Sequence, residues 1–188
     1  NDHHPMTDID LERDRLASMT RKGIGMPVAG LLYWLTVAVL LRTFPERTGL
    51  IYAFFATGVV FPVGALLTRL VGGDLFAKSP TLTPLGLQLA AIQLFYWPVI
   101  IVVFRAAPEW TPFAMAVLFG SHFLPYWWLY RSRAYAMLAV LTTVACSIVV
   151  IVAGNALFSI IPLIAASCYA VSTVALGIEV ASQRRRLV

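Results

Sequence analysis

Charge is scarce in this 188-residue chain: only 12% of residues are charged and 60% are hydrophobic, against about 25% and about 45–50% in a soluble domain. That shortage excludes an ordinary water-soluble fold. The 14 Lys and Arg leave a net charge of +5, yet they stand singly or in pairs at the ends of apolar runs rather than in a stripe interleaved with aromatics. Nucleic acid is thereby excluded as a partner. There are only two cysteines, and Cys146 and Cys168 each fall near the middle of an apolar segment, where they read as small core residues rather than a redox pair or disulfide framework. Of the three histidines, His3 and His4 belong to a leading segment that reads as a flexible end or expression remnant. His122 is left alone, too few ligands for a metal site, and nothing calls for a cofactor. A Gly-rich phosphate loop, G-x-S-x-G, H-E-x-x-H and paired intramembrane carboxylates are all missing, which argues against an ATPase, serine hydrolase, zincin or typical proton pump. The balance leans away from an enzyme.

What the chain has instead is apolar runs of about 20 residues, the length that crosses a hydrocarbon core roughly 30 Å thick. Six are expected, over 23–41, 48–70, 84–104, 112–130, 134–152 and 156–180, giving an all-α polytopic bundle. Residues 1–22 form an N-terminal interfacial segment, 23–180 the transmembrane domain and 181–188 a basic tail. Within the first segment Thr7 and Asp10 read as a capping box opening a short charged helix at the membrane surface. Its Asp8, Asp10, Glu12 and Asp14 are unlike the basic start of a signal peptide, so the first span is expected to be retained. Six spans put both termini on one side. That side holds Arg13, Arg15, Arg21, Lys22, Arg69, Lys78, Arg131, Arg133, Arg184, Arg185 and Arg186, whereas the other has Arg42, Arg47 and Arg105. The bias makes the first side cytoplasmic in a cell membrane. Short links at 42–47 and 152–155 make sequential helices antiparallel neighbours. In the longest connection, 71–83, Asp74 is expected to cap a brief interfacial helix with Lys78 on it.

A shift of 63 residues aligns 31–70 with 94–133 without a gap and with 11 identities in 40 positions. They include Tyr33/Tyr96, Trp34/Trp97, Arg42/Arg105, Pro45/Pro108, Glu46/Glu109, Thr48/Thr111, Ala53/Ala116 and Pro62/Pro125. Helices 1–2 and 3–4 thus read as two copies of one hairpin entering from the same side, a parallel internal repeat about a pseudo-two-fold axis along the membrane normal. Arg42 and Arg105 close a helix at its negative end, and Pro-Glu opens the next, so the shared charges have a structural account as hairpin chemistry. A ring reading a charged ligand is the alternative.

Specialised chemistry is expected where one copy is polar and the other is not. Gln93 answers Gly30 and His122 answers Val59, at similar depth. Helical spacing puts Gln93 with Tyr96 and Trp97, and His122 with Tyr126. Pro125 frees the carbonyl of Ser121, and Pro62, Pro98 and Pro162 free those of Gly58, Leu94 and Phe158. A polar seam of His122, Gln93, Tyr96, Trp97, Ser121 and Tyr126 is the candidate ligand site, for a small-molecule or lipid-like ligand. Interhelical glue is the bland account of His122; a proton shuttle or cavity lining is the functional one. Asp74, Lys78, Arg131 and Arg133 form a candidate cytoplasmic ionic cluster, which surface neutralisation or lipid headgroups would also explain. Glu179 is expected to pair with the terminal arginines. Membrane lipids, a second copy of the chain or another membrane protein are the partners such a surface suggests.

The stretches Asp74-Leu-Phe-Ala-Lys78, Phe95-Tyr-Trp-Pro98, Leu118-Phe-Gly-Ser-His-Phe-Leu-Pro-Tyr126 and Ser132-Arg-Ala-Tyr135 resemble an uncharacterised family of small bacterial six-helix membrane proteins, over about 20–180. The resemblance implies a bacterial cytoplasmic membrane and no activity, cofactor or catalytic residue.

Overall fold

Thr7 caps the first helix, α1 (Asp8–Met19), as its sequence box requires: the Asp10 amide donates to the Thr7 hydroxyl at 3.4 Å, and that hydroxyl donates to the Asp10 carboxylate at 2.8 Å. The computed structural model describes residues 7–153 and 159–185. The readings of His3 and His4, of the 152–155 link, of the Phe158 carbonyl and of the tail beyond 185 lie outside the described residues. After α1 the chain reverses through Arg21, Lys22 and Gly23, all left-handed at φ 50°, 52° and 63°. Two of the three carry a Cβ, at a cost of about 1–2 kcal/mol each.

Helices α2 (Gly25–Thr43) and α3 (Glu46–Leu70) follow, with Arg42 in the last turn of one, Pro45 capping the other and Glu46 in its first turn. They touch backbone to backbone. A Cβ on Gly25 would lie 2.2 Å from the Gly64 carbonyl oxygen, and one on Gly64 2.4 Å from the Met26 sulfur. The Gly25 amide donates to Thr68 Oγ1 at 3.1 Å, and that hydroxyl donates to the Gly64 carbonyl at 2.9 Å. α3 continues unbroken through Pro62.

The connection after α3 departs from expectation. Asp74 caps no helix: its carboxylate accepts from the Phe76 amide at 2.9 Å in an Asx-type turn, and its own amide bonds the Met19 carbonyl at 2.9 Å. Both groups that would start a helix are committed elsewhere. Helix α4 (Leu82–Ala91) then leads through a 3-10 turn, Ile92–Tyr96, into α5 (Trp97–Ala106). The expected fourth span is divided into α6 (Thr111–Ser121) and α7 (Leu124–Tyr130), followed by α8 (Arg133–Ala153) and α9 (Ile161–Arg185).

The described residues are all helix and connection, with no strand. Five helical stretches are long and apolar enough to cross a membrane: Arg21–Thr43, Glu46–Leu70, Leu82–Ala106, Arg133–Val152 and Ile161–Gln183. The fourth expected stretch fails that test because its break leaves pieces of 11 and 7 residues. α2 is central, packed between α3 and α9; α8 joins α9 to α6 and α7, and α4 and α5 lie on the flank. Tyr169 of α9 reaches α2 because Gly30 has no side chain, a Cβ there falling 2.2 Å from the Tyr169 ring. Trp34, Leu50, Met115, Tyr135, Leu138 and Leu176 fill the interior, while Phe55, Phe95, Ile151 and Val152 point outward with more than three-quarters of their surface free. Such an outer face is compatible with lipid and costly in water.

Candidate functional site

Pro98 and Pro125 lack an amide hydrogen, and shortly before each the chain leaves α-helical geometry, at Ile92–Tyr96 and at His122–Phe123. At the second break the Phe123 amide takes the Gly120 carbonyl at 3.1 Å, an i−3 bond, and the Tyr126 amide does the same to Phe123. α6 packs on the 92–96 turn. Tyr96 lies half-buried in that turn, and at the end of α6 the Ser121 hydroxyl donates to the Leu118 carbonyl at 3.1 Å. Gln93 lies half-buried in the same turn.

His122 is 7% exposed between α6 and α7, and its ring meets Phe123 and Tyr126 edge-on, centroids 5.4 and 5.3 Å away. From Tyr126 the aromatic contacts continue to Tyr130 at 5.9 Å and Tyr135 at 5.9 Å, and Phe123 stacks on Tyr135 at 5.7 Å and meets Tyr169 at 5.8 Å. The seam therefore has polar groups at one edge, Gln93 and Tyr96 in the 92–96 turn and Ser121 at the end of α6, and an aromatic wall behind His122. Trp97 stands apart from both. It packs edge-on against Phe54 of α3 at 5.5 Å. Helical spacing places Tyr130 on the His122 face; Phe123, Tyr135 and Tyr169 were not among the candidate seam residues, although the density of aromatics between Phe119 and Tyr135 was the available signal.

The four residues of the ionic cluster go to different places. Arg131, left-handed at φ 47°, pairs with Asp10 at 3.3 Å and Asp14 at 3.6 Å on α1, Asp74 holds its own turn, and Lys78 and Arg133 are exposed. Glu179 pairs with Lys22 at 2.9 Å, and its other oxygen accepts from the Ala134 amide at the start of α8 at 3.1 Å. The Lys22 ammonium also reaches the Arg131 carbonyl at 3.3 Å, and Tyr135 donates to the Lys22 carbonyl at 2.6 Å. This junction ties the α1–α2 turn, the α7–α8 corner and α9 together. A lone Glu179 in an apolar helix, which must find a counter-charge, was the sequence hint to it, but the expected partners were the terminal arginines, whereas among the described residues Lys22 takes it.

Hydrogen bonds from Thr7 and Ser79, with Arg13 and Arg131 beside Asp10 and Arg15 beside Glu12, hold the Asp10 and Glu12 carboxyls below the usual carboxylate range. Among the described residues no three His, Cys, Asp or Glu side chains cluster closely enough to hold a metal. Cys146 and Cys168 are buried free thiols.

Chemically, the seam offers hydroxyl and amide groups at one edge, an imidazole, and aromatic faces that take apolar or weakly cationic groups. No curated protein and no solved structure matches the chain. It matches the family of unknown function DUF7010 over residues 9–179, and so belongs to that family.

Proposed function

We propose that the protein is a six-span integral membrane protein that binds or passes a small or amphipathic molecule at the seam between its third and fourth spans. In this reading α6 and α7 together form the fourth span, helices 1–2 and 3–4 descend from one duplicated hairpin, and both termini face the cytoplasm of a bacterial cell. One observation carries it: two adjacent spans leave α-helical geometry side by side, at Ile92–Tyr96 and at His122–Phe123, where His122 meets Tyr126. Irregular backbone at membrane depth is tolerated where it is enclosed in protein or lines a cavity, and discontinuous helices form the binding sites of many transporters. Gln93 and His122 supply hydrogen-bonding groups and Tyr126 an aromatic wall.

The test is photolabelling in lipid nanodiscs with an aryl-diazirine alcohol, a small amphipathic probe. Labelling is expected to concentrate in 92–97 and 118–126, to saturate, and to weaken about tenfold in apparent affinity in His122→Ala and Gln93→Ala, the effect of losing one hydrogen bond. Labelling that merely follows lipid exposure, strongest at Phe55 and Phe95 and indifferent to both substitutions, would overturn the reading and favour a structural subunit.

A further inference from the structure

We infer that α1 is a strap, hinged at its C-terminal end, that clamps α4 against α7 and so closes one end of the seam. The inference rests on the seam being a site. The two ends of α1 are held differently. At the C-terminal end Leu16 and Ala17 are buried, the Met19 carbonyl accepts from the Asp74 amide at 2.9 Å, and the turn beyond is pinned by Lys22 on Glu179 at 2.9 Å. The N-terminal half is held almost wholly by polar contacts to the two clamped helices. Toward α4, the Glu12 carboxylate accepts from the Ser79 hydroxyl and from the Thr81 amide at 3.4 Å, and the same Ser79 oxygen accepts from the Leu82 amide as α4 begins. Toward α7, the Arg13 guanidinium donates to the Trp128 carbonyl, through Nε at 2.9 Å, and lies over the Trp128 ring at 4.1 Å. Arg131, just past α7, pairs with Asp10 and Asp14.

Between the clamped helices Gly86 of α4 faces Leu129 of α7 with room for one more methyl group, since an added Cβ would come to ordinary van der Waals contact, 3.7 Å, with that side chain. Ile9 and Leu11 are 42% and 52% exposed, so little apolar burial holds this half down. Exposed ion pairs contribute about 0–1 kcal/mol each and weaken with salt. Contacts of that strength give a segment that opens on its own, without unfolding the bundle. The left-handed backbone of Arg21, Lys22 and Arg131 sits at the hinge and at the latch, the kind of strain that collects in switch regions.

Hydrogen exchange and electron-spin distance measurement on the full chain in nanodiscs test this. Spin labels go on Thr83→Cys and Trp127→Cys, with Cys146 and Cys168 replaced by alanine. In the parent protein the amides of 8–15 are expected to be protected; Arg131→Glu should speed their exchange about tenfold and lengthen the α4–α7 distance, and adding Asp14→Arg should restore both. If the labelled protein does not fold, exchange of the α4 amides in unlabelled Arg131→Glu reads the same opening. Unprotected amides in the parent, or a freed α1 with α4 and α7 unmoved, would overturn the strap. Photolabelling of the seam in the parent reports the site separately, so a site without a strap and a strap without a site give different results.

Discussion

The segments that align at an offset of 63 residues have been built into unlike hairpins. In the first, α2 and α3 lie in backbone contact; in the second, α4 and α5 barely touch α6 and α7, and 6% of the third span's apolar window is buried against 44% of the first's. The difference traces to a few positions. Gly25, Gly30, Gly49 and Gly64 permit close approach in the first copy. At the same offset the second has Gln88, Gln93, Pro112 and Trp127. Identical residues at the bends preserve the shape of a hairpin, whereas the lost glycines decide whether its arms can close. A tight hairpin beside a splayed one puts the loosened helix pair where the polar mismatches Gln93 and His122 stand.

The largest way to break this comparison is at Gly25. A methyl group there would sit 2.2 Å from the Gly64 oxygen and 2.4 Å from the Thr68 nitrogen, both backbone atoms that no rotamer can move aside. Gly25→Ala is expected to cost about 3 kcal/mol or more, lowering the folded fraction in a detergent-denaturation titration. Gln88→Ala, its counterpart on an exposed face, should stay within about 0.5 kcal/mol. Equal losses from both would mean that the glycines do not separate the two hairpins.

A middle-sized effect concerns why the chain breaks between α6 and α7 while α3 does not. Proline alone is no answer, since Pro62 and Pro125 occupy matched positions and α3 runs straight through its own. Phe123 differs: it is buried against Tyr135 and Tyr169, whereas Val60 at the matched position carries no ring to stack. Aromatic burial offsets the helical hydrogen bonds given up at the break. Phe123→Val is expected to cost about 2 kcal/mol and to let α6 run on into α7, read as added exchange protection at the 122–126 amides. Protection unchanged from the parent would show that the break belongs to the local sequence.

That second case shows where sequence reading stops. The Thr7 cap, the Arg42 and Pro45 bend and the polar mismatches at Gln93 and His122 were legible because each is a local or register property. The break at His122 was not, because its cause lies on α8 and α9. Likewise Gly30 advertised a lost side chain but not that Tyr169 of α9 would fill the space, and Arg131 gave no sign that Asp10 and Asp14 rather than Asp74 would take it. A partner distant in the chain leaves no mark in a single sequence unless charge or period demands one.

The smallest expected effect separates the hairpins by pH. Asp10 and Glu12 have folded pKa values depressed by the hydroxyls and cations that hold them, so their contribution to docking α1 is fully present above the ordinary carboxylate range, about 4. It is lost as pH falls through the depressed folded values, because the unfolded or undocked carboxyl then binds its proton more readily than the docked one. Both side chains are partly open to solvent, which keeps the effect small. α1 docks on α4 and α7 partly through these carboxyls, while the polar contacts between α2 and α3 are made by backbone groups and the Tyr33 and Thr68 hydroxyls, none of which titrates between pH 3 and 7. Lowering pH from 7 to 3 should therefore speed exchange in 8–15 and leave the amides of α2 and α3 protected; simultaneous loss of protection in both hairpins would place the acid-sensitive contact in the common core instead.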